Sequence, residues 1–138
     1  MTPLVDVVDD DISVRESLGG LIRSVGLEVR LSASAEEFLN SPHPRSADCL
    51  ILDVRLPGMS GIELHHHLAA QKCKVPVIFI TAHASDSHMR AEAASDWTVA
   101  YLAKPFSDEE LLDAVHMALT WKPGGAKARP LNHGDSHE

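Results

Sequence analysis

Five residues of this sequence carry chemistry that can be combined, and each follows a short apolar run. Leu4-Val5-Asp6-Val7-Val8 runs into Asp9 and Asp10, Cys49-Leu50-Ile51-Leu52 into Asp53, and Val75 to Ile80 into Thr81. Val99-Ala100-Tyr101-Leu102 leads, one residue on, to Lys104-Pro105. Bare carboxylates about 4 Å apart repel by about 4 kcal/mol per pair at an effective dielectric of 20. Such a cluster must hold a proton, recruit a cation or splay apart. The ligand atoms on offer are oxygens, which selects a hard cation. Mg2+ fits because it takes one or two carboxylates, keeps several waters and leaves positions for phosphate oxygens. An in-line phosphoryl transfer then has its parts. Asp53 is the nucleophile, the cation and Lys104 neutralise charge, and the Thr81 hydroxyl donates to a phosphoryl oxygen.

Singly, each residue has an ordinary explanation. An Asp after a strand caps a helix or turn, Asp9-Asp10-Asp11 makes a solvated turn, and Lys-Pro makes a loop. The joint placement is what points to chemistry, because each residue closes a different apolar run.

The elements that must position them alternate strictly. Between the runs lie helical patterns: Val14, Leu18, Leu21, Ile22 and Val25 form one amphipathic stripe. Gly26 follows it where a left-handed cap belongs. Leu27 to Leu31 reads as a second strand, and Ser34-Ala35-Glu36-Glu37 has capping-box spacing before a short helix. Ile62, Leu64 and Leu68 mark a third helix, Asp86 to Ala94 a polar fourth, and Ser107 to Glu110 a second capping box opening the last. Strands apolar nearly throughout, alternating with helices, describe a parallel sheet covered on both faces. Right-handed crossovers make an open doubly wound α/β sheet the expected fold, with its site where the strand order reverses.

Length and composition agree. At 138 residues the chain is one domain, with 44% apolar and 23% charged residues, near the globular average. Its 12 basic and 20 acidic residues give a net charge of −8, which disfavours nucleic acid and anionic membranes as partners. Cys49 and Cys73 are in no metal-ligand pattern and read as two buried thiols in a reducing compartment. No run approaches the roughly 18 apolar residues of a membrane span, and no signal peptide is visible, so a cytoplasmic location is expected. Residues 122–138 lack apolar periodicity and read as a disordered tail.

These motifs resemble the receiver domains of two-component response regulators. The resemblance covers residues 3–121 and runs through Val8-Asp9-Asp10-Asp11, Leu52 to Gly61, Phe79-Ile80-Thr81-Ala82 and Tyr101 to Phe106. The third-strand motif is most similar to the nitrogen-fixation regulator (FixJ-like) branch. The resemblance implies a flavodoxin-like fold of five strands in order 2-1-3-4-5 with five helices. It implies Asp53 as phosphoacceptor and Mg2+ held by Asp10, by Asp9 through water, by Asp53 and by the backbone carbonyl of Arg55. Thr81 and Lys104 would bind phosphoryl oxygens, Tyr101 would be an aromatic switch turning inward when Thr81 moves, and Lys104–Pro105 would be cis. The implied partners are a sensor histidine kinase or histidine phosphotransfer protein and a downstream protein. A homodimer would form through the surface of the fourth helix, fifth strand and fifth helix. With too few residues after 121 for a DNA reader, the chain is expected to be a stand-alone regulator, a phosphorelay shuttle, a phosphate sink or a truncated fragment.

The same pattern disfavours other functions. An aspartate-nucleophile phosphatase needs an acid two positions after the nucleophile, where Arg55 stands, and an FMN carrier needs a phosphate loop where three aspartates stand. A docking module that is never phosphorylated would have no use for the acceptor set. Two departures from the family fall elsewhere. Thr81 to Lys104 spans 23 positions, one more than expected, placing extra length around His83 to Ser85. Ser95-Asp96-Trp97-Thr98 replaces a helix-ending glycine, leaving Trp97 near the signalling face as a packing residue or a partner anchor. His65-His66-His67 cannot converge on one ion, being about 100° apart on a helix, and reads as a partly solvated face. His133 and His137 read as solvated. Arg55 and His83, each two positions past a site residue, are expected to flank the phosphoryl group and tune its hydrolysis.

Overall fold

The computed structural model describes residues 2–123; most of the segment expected to be a disordered tail, with His133 and His137, lies outside the described residues. Five strands and five helices alternate: β1 (Leu4–Val8), α1 (Ile12–Ser24), β2 (Glu28–Ser32), α2 (Ala35–Leu39), β3 (Cys49–Asp53), α3 (Gly61–Ala70), β4 (Val77–Thr81), α4 (Ser87–Ala93), β5 (Thr98–Ala103) and α5 (Asp108–Leu119). The sheet is parallel, in the order β2-β1-β3-β4-β5, as expected.

Successive strand residues point to opposite faces, and both faces are covered. Val5, Val7, Cys49, Ile51, Ile78 and Ile80 pack under α1 and α5, with Leu18, Ile22, Leu111 and Val115. Val8, Leu50, Leu52, Phe79 and Tyr101 pack under α2, α3 and α4, with Phe38, Leu64, Leu68 and Met89. That double burial is why these strands read as nearly unbroken apolar runs. One polar residue sits inside them: Asp6 is buried and pairs with Arg30 Nη2 at 2.6 Å, and Arg30 in turn donates to the Pro42 and His43 carbonyls.

Helix ends reflect local chemistry. Gly26 takes φ +87° and closes α1, with its N–H on the Arg23 carbonyl at 3.0 Å. Asp11 and Asp86 cap α1 and α4, and Ser60 and Ser107 form complete capping boxes with Glu63 and Glu110. Ser34 caps α2 through the Glu37 N–H, but the Glu37 carboxylate reaches Ala33 rather than closing the box.

The boundaries differ in physically simple ways. β4 begins at Val77 because Pro76 has no N–H for the ladder. In β5 the register passes from Val77 opposite Thr98 to Ile78 opposite Ala100, so Val99 is an extra residue in the strand. Part of the length between Thr81 and Lys104 is therefore taken up inside β5, besides the turn before Asp86. Of the two cysteines only Cys49 is buried; Cys73 is partly exposed because Lys72, at φ +60°, turns the chain out after α3.

The end of α4, where a glycine was expected, is built from side chains. Thr98 Oγ1 donates to the Ala93 carbonyl at 2.7 Å, and Ser95 Oγ accepts from the Trp97 N–H at 3.1 Å. Trp97 is half-buried, in keeping with packing. The histidine face is partly solvated, as expected, and His65 is its buried member. It is only 4% exposed, its Nε2 lies 2.8 Å from Ser95 Oγ, and its ring meets Phe79 edge-on. His66 stays exposed with its Nε2 on the Glu92 carbonyl, so the three histidines do diverge.

Candidate functional site

The strand order reverses between β1 and β3, and the acids stand at the carboxyl ends of those two strands. β1 ends at Val8 opposite Leu52, which sets Asp9 and Asp10 beside Asp53. Each of Asp9, Asp10 and Asp53 offers a carboxylate oxygen within 4.8 Å of the others. Asp9 and Asp53 are buried and Asp10 is exposed, so the cluster opens to solvent on one side. Asp11 does not join it, serving as the α1 cap.

The backbone around the acids is tied down. Asp9 Oδ1 accepts the Asp11 N–H at 2.9 Å, and Asp53 Oδ1 accepts the Arg55 N–H at 3.1 Å. Arg15 Nη1 donates to the Asp9 carbonyl at 2.8 Å, fixing the turn between β1 and α1. Gly61 is required behind Asp53, because a Cβ there would lie 2.1 Å from the Asp53 carbonyl oxygen.

Lys104 comes directly after β5, its N–H on the Thr81 carbonyl at 2.9 Å and its bond to Pro105 cis. Its Nζ stands 3.0 Å from both Asp9 Oδ2 and Asp53 Oδ2. The approach to Asp53 is a hydrogen bond; the approach to Asp9 is an ion pair. Asp9 Oδ2 is buried and accepts no hydrogen bond, alone in this among the side-chain atoms of the described residues. A buried carboxylate oxygen that accepts no hydrogen bond and faces two more carboxylates suits a hard divalent cation.

This crowding sets the electrostatics. Burial pushes the Asp53 carboxyl above its ordinary range and Asp9 adds to the push, against Lys104 and the Arg55 N–H. Burial alone would lower the Lys104 ammonium, but its contacts with Asp9 and Asp53 outweigh that and hold it above its ordinary value. Lys104 stays charged, and the pocket still carries more negative than positive charge.

Thr81 ends β4, buried, with its Oγ1 accepting the His83 N–H at 3.0 Å. Arg55, Thr81 and His83 line one cleft of about 480 Å³ beside the acids, with Met89 and His88 on its far wall. Tyr101 lies two strand residues before Ala103 and points inward, 7% exposed, its ring stacked on Phe79. Its hydroxyl donates to the Arg90 carbonyl at 3.1 Å, and the Arg90 guanidinium sits 4.9 Å from the ring centroid. Residue spacing did not single out Arg15, Glu36 or Arg90. Arg15 has a signal, an Arg one turn into the helix after the acids; the other two act through contacts that spacing does not encode.

A doubly wound domain with an acid pocket and a fixed ammonium at its strand-order reversal is the class these features define. Residues 5–116 match the family model described as "Response regulator receiver domain", and the chain belongs to that family. Receiver domains of response regulators are signalling domains that work with histidine kinases. Among curated relatives, Nodulation protein W of Bradyrhizobium diazoefficiens is 52% identical over 112 residues, covering 81% of this chain and 49% of that protein. Transcriptional regulatory protein FixJ of Azorhizobium caulinodans is 41% identical over 115 residues, covering 83% of this chain and 54% of that one. The chain therefore spans about half the length of these relatives. The solved structure titled FixJ-N superposes with a TM-score of 0.75 at 35% identity, covering 87% of this chain and 95% of that one. No helix among the described residues is long and apolar enough to cross a membrane.

Proposed function

We propose that this chain accepts a phosphoryl group on Asp53 from a phosphohistidine of a sensor kinase or a phosphotransfer protein. A carboxylate oxygen of Asp53 attacks phosphorus, the P–N bond to the donor imidazole breaks, and the imidazole leaves with the electron pair and takes a proton. The observation that carries this reading is the meeting of Asp9, Asp10 and Asp53 within 4.8 Å, with Lys104 Nζ 3.0 Å from Asp53 Oδ2.

Asp9, Asp10 and Asp53 with the Arg55 carbonyl are the residues to hold Mg2+. Bound there, the ion supplies positive charge to the phosphoryl oxygens. Lys104 supplies a second, fixed positive charge, and the Thr81 hydroxyl, whose oxygen accepts the His83 N–H, donates its own hydrogen to a phosphoryl oxygen. The bond formed draws Thr81 toward the phosphoryl group and biases Tyr101, whose ring stacks on Phe79, two residues before Thr81. This makes Thr81, Tyr101 and Pro105 the switch that reshapes the face of α4, β5 and α5. That face is where we place the downstream partner or a second copy of the chain. Residues 3–121 form the unit that does this. The relatives are about twice as long as the matched region.

Incubation with acetyl phosphate and Mg2+, followed by intact mass, tests the reading: one hydrolysable phosphoryl adduct is expected on the wild type and none on Asp53→Asn. Multiple turnover of phosphate esters without an adduct would point to a phosphatase instead. A beryllofluoride-dependent rise in sedimentation coefficient tests the dimer.

A further inference from the structure

The loop of residues 54–60 carries Asp53 into α3. Its ends are fixed from nearby: the Arg55 N–H donates to Asp53 Oδ1 at 3.1 Å, and the Gly61 N–H to the Val54 carbonyl at 3.0 Å. Its tip is held from a different part of the fold. Glu36 Oε2, on α2, accepts the Met59 N–H at 2.9 Å. Gly58 packs against the same carboxylate. A Cβ at Gly58 would lie 2.7 Å from Glu36 Oε2, and the residue is at φ +75°, so tip and carboxylate are shaped to each other. The Met59 N–H, with Glu36's own N–H, holds the Glu36 carboxyl below its ordinary range, so the acceptor is charged. Its base is firm, because Ala35 and Phe38 on either side are buried and Ser34 caps the helix.

We propose that Glu36 is a positioning residue for the divalent-cation site. It holds the loop that carries the Arg55 carbonyl, the backbone ligand of the proposed site two residues after Asp53, and so contributes to ion affinity without touching the ion. The inference rests on the receiver reading of the acid pocket. A backbone carbonyl is a useful ligand only where its loop is already in place, and outer hydrogen bonds commonly supply that order. With its tip released, the loop must be ordered at the moment of binding.

The test uses the full chain and Mn2+ alone as the probe, with free ion followed by electron paramagnetic resonance and Met59 amide exchange by NMR. Glu36→Ala is expected to weaken Mn2+ binding by roughly tenfold, the low end for loss of an outer partner, and to speed exchange at Met59. Glu36→Gln keeps an acceptor oxygen and is expected to restore both, which a generic loss of stability would not do. Equal Mn2+ binding by wild type and Glu36→Ala, or equal weakness of the Gln and Ala variants, overturns the role of Glu36 alone. Absence of Mn2+ binding by the wild type overturns the reading of the pocket, and this proposal with it.

Discussion

Lys104 places its ammonium 3.0 Å from Asp53 Oδ2, from a position 51 residues away in the chain. The same nitrogen is 3.0 Å from Asp9 Oδ2, so one cation bridges two buried carboxylates. Among the described residues it is the cation that pairs with the acceptor carboxylate. Lys104→Met keeps the stem and removes the charge. Adduct formation at Asp53 from acetyl phosphate should slow by on the order of 100-fold, the scale for losing one preorganised electrostatic partner. An unchanged rate would remove Lys104 from the chemistry.

Asp53 is strained electrostatically before any ion arrives. Its carboxyl is pushed up by burial and by Asp9, so ionising it costs folded-state stability. That loss sets in as pH rises past the unfolded value and is complete above the folded one. Asp53→Asn removes the charge and offers an N–H to Asp9 Oδ2, which is ion-paired with Lys104 but accepts no hydrogen bond. In chelator at pH 7.5 the variant should melt about 3 °C higher, the equivalent of roughly 1 kcal/mol. Added Mg2+ should then raise the wild type's midpoint more than the variant's. A lower midpoint for Asp53→Asn in chelator would contradict the crowding.

His65 makes stability depend on acid. Burial, with a smaller part from His66, pushes it down to about 4, so it is neutral in the fold. The unfolded chain takes up a proton that the folded chain refuses. The contribution is present above the unfolded value and is lost as pH falls through the window between that value and about 4. Urea unfolding at pH 7.5 and pH 5 should show a loss smaller by on the order of 1 kcal/mol in His65→Leu than in the wild type. Identical losses would mean that His65 is not the group responsible.

Arg55 and His83 line the cleft beside Thr81, on opposite loops. From that position we propose that they flank a phosphoryl group on Asp53 and tune its hydrolysis. Arg55→Ala and His83→Ala should each change the lifetime of the aspartyl phosphate severalfold, read by adduct decay in intact mass. Lifetimes equal to the wild type for both variants would end that idea.

Much of the fold and the pocket is legible in the residues themselves, and the reasons are local. Asp9, Asp10, Asp53, Thr81 and Lys104 each stand after an apolar run, and a parallel sheet brings the ends of its strands to one edge. Gly26 and Ser107 declare helix ends through backbone freedom and capping spacing. What stayed hidden depends on which side of a helix meets a neighbour. Three consecutive histidines read alike, yet only His65 faces Ser95 and Phe79. Glu36 reads as an acid favoured near a helix N-terminus, while its contact is with Met59, 23 residues on. Val99 reads as an ordinary strand residue, because a bulge shows itself only in the pairing with β4.

The central claim is that Asp53 carries the phosphoryl group, and borohydride trapping reads it at residue resolution. An acyl phosphate is reduced to homoserine where a free carboxylate is not. After treatment with acetyl phosphate and Mg2+ and then borohydride, peptide sequencing should find homoserine at position 53 and aspartate still at positions 9 and 10. Homoserine at either of those two, or at none of the three in a sample whose intact mass shows the adduct, would contradict the account.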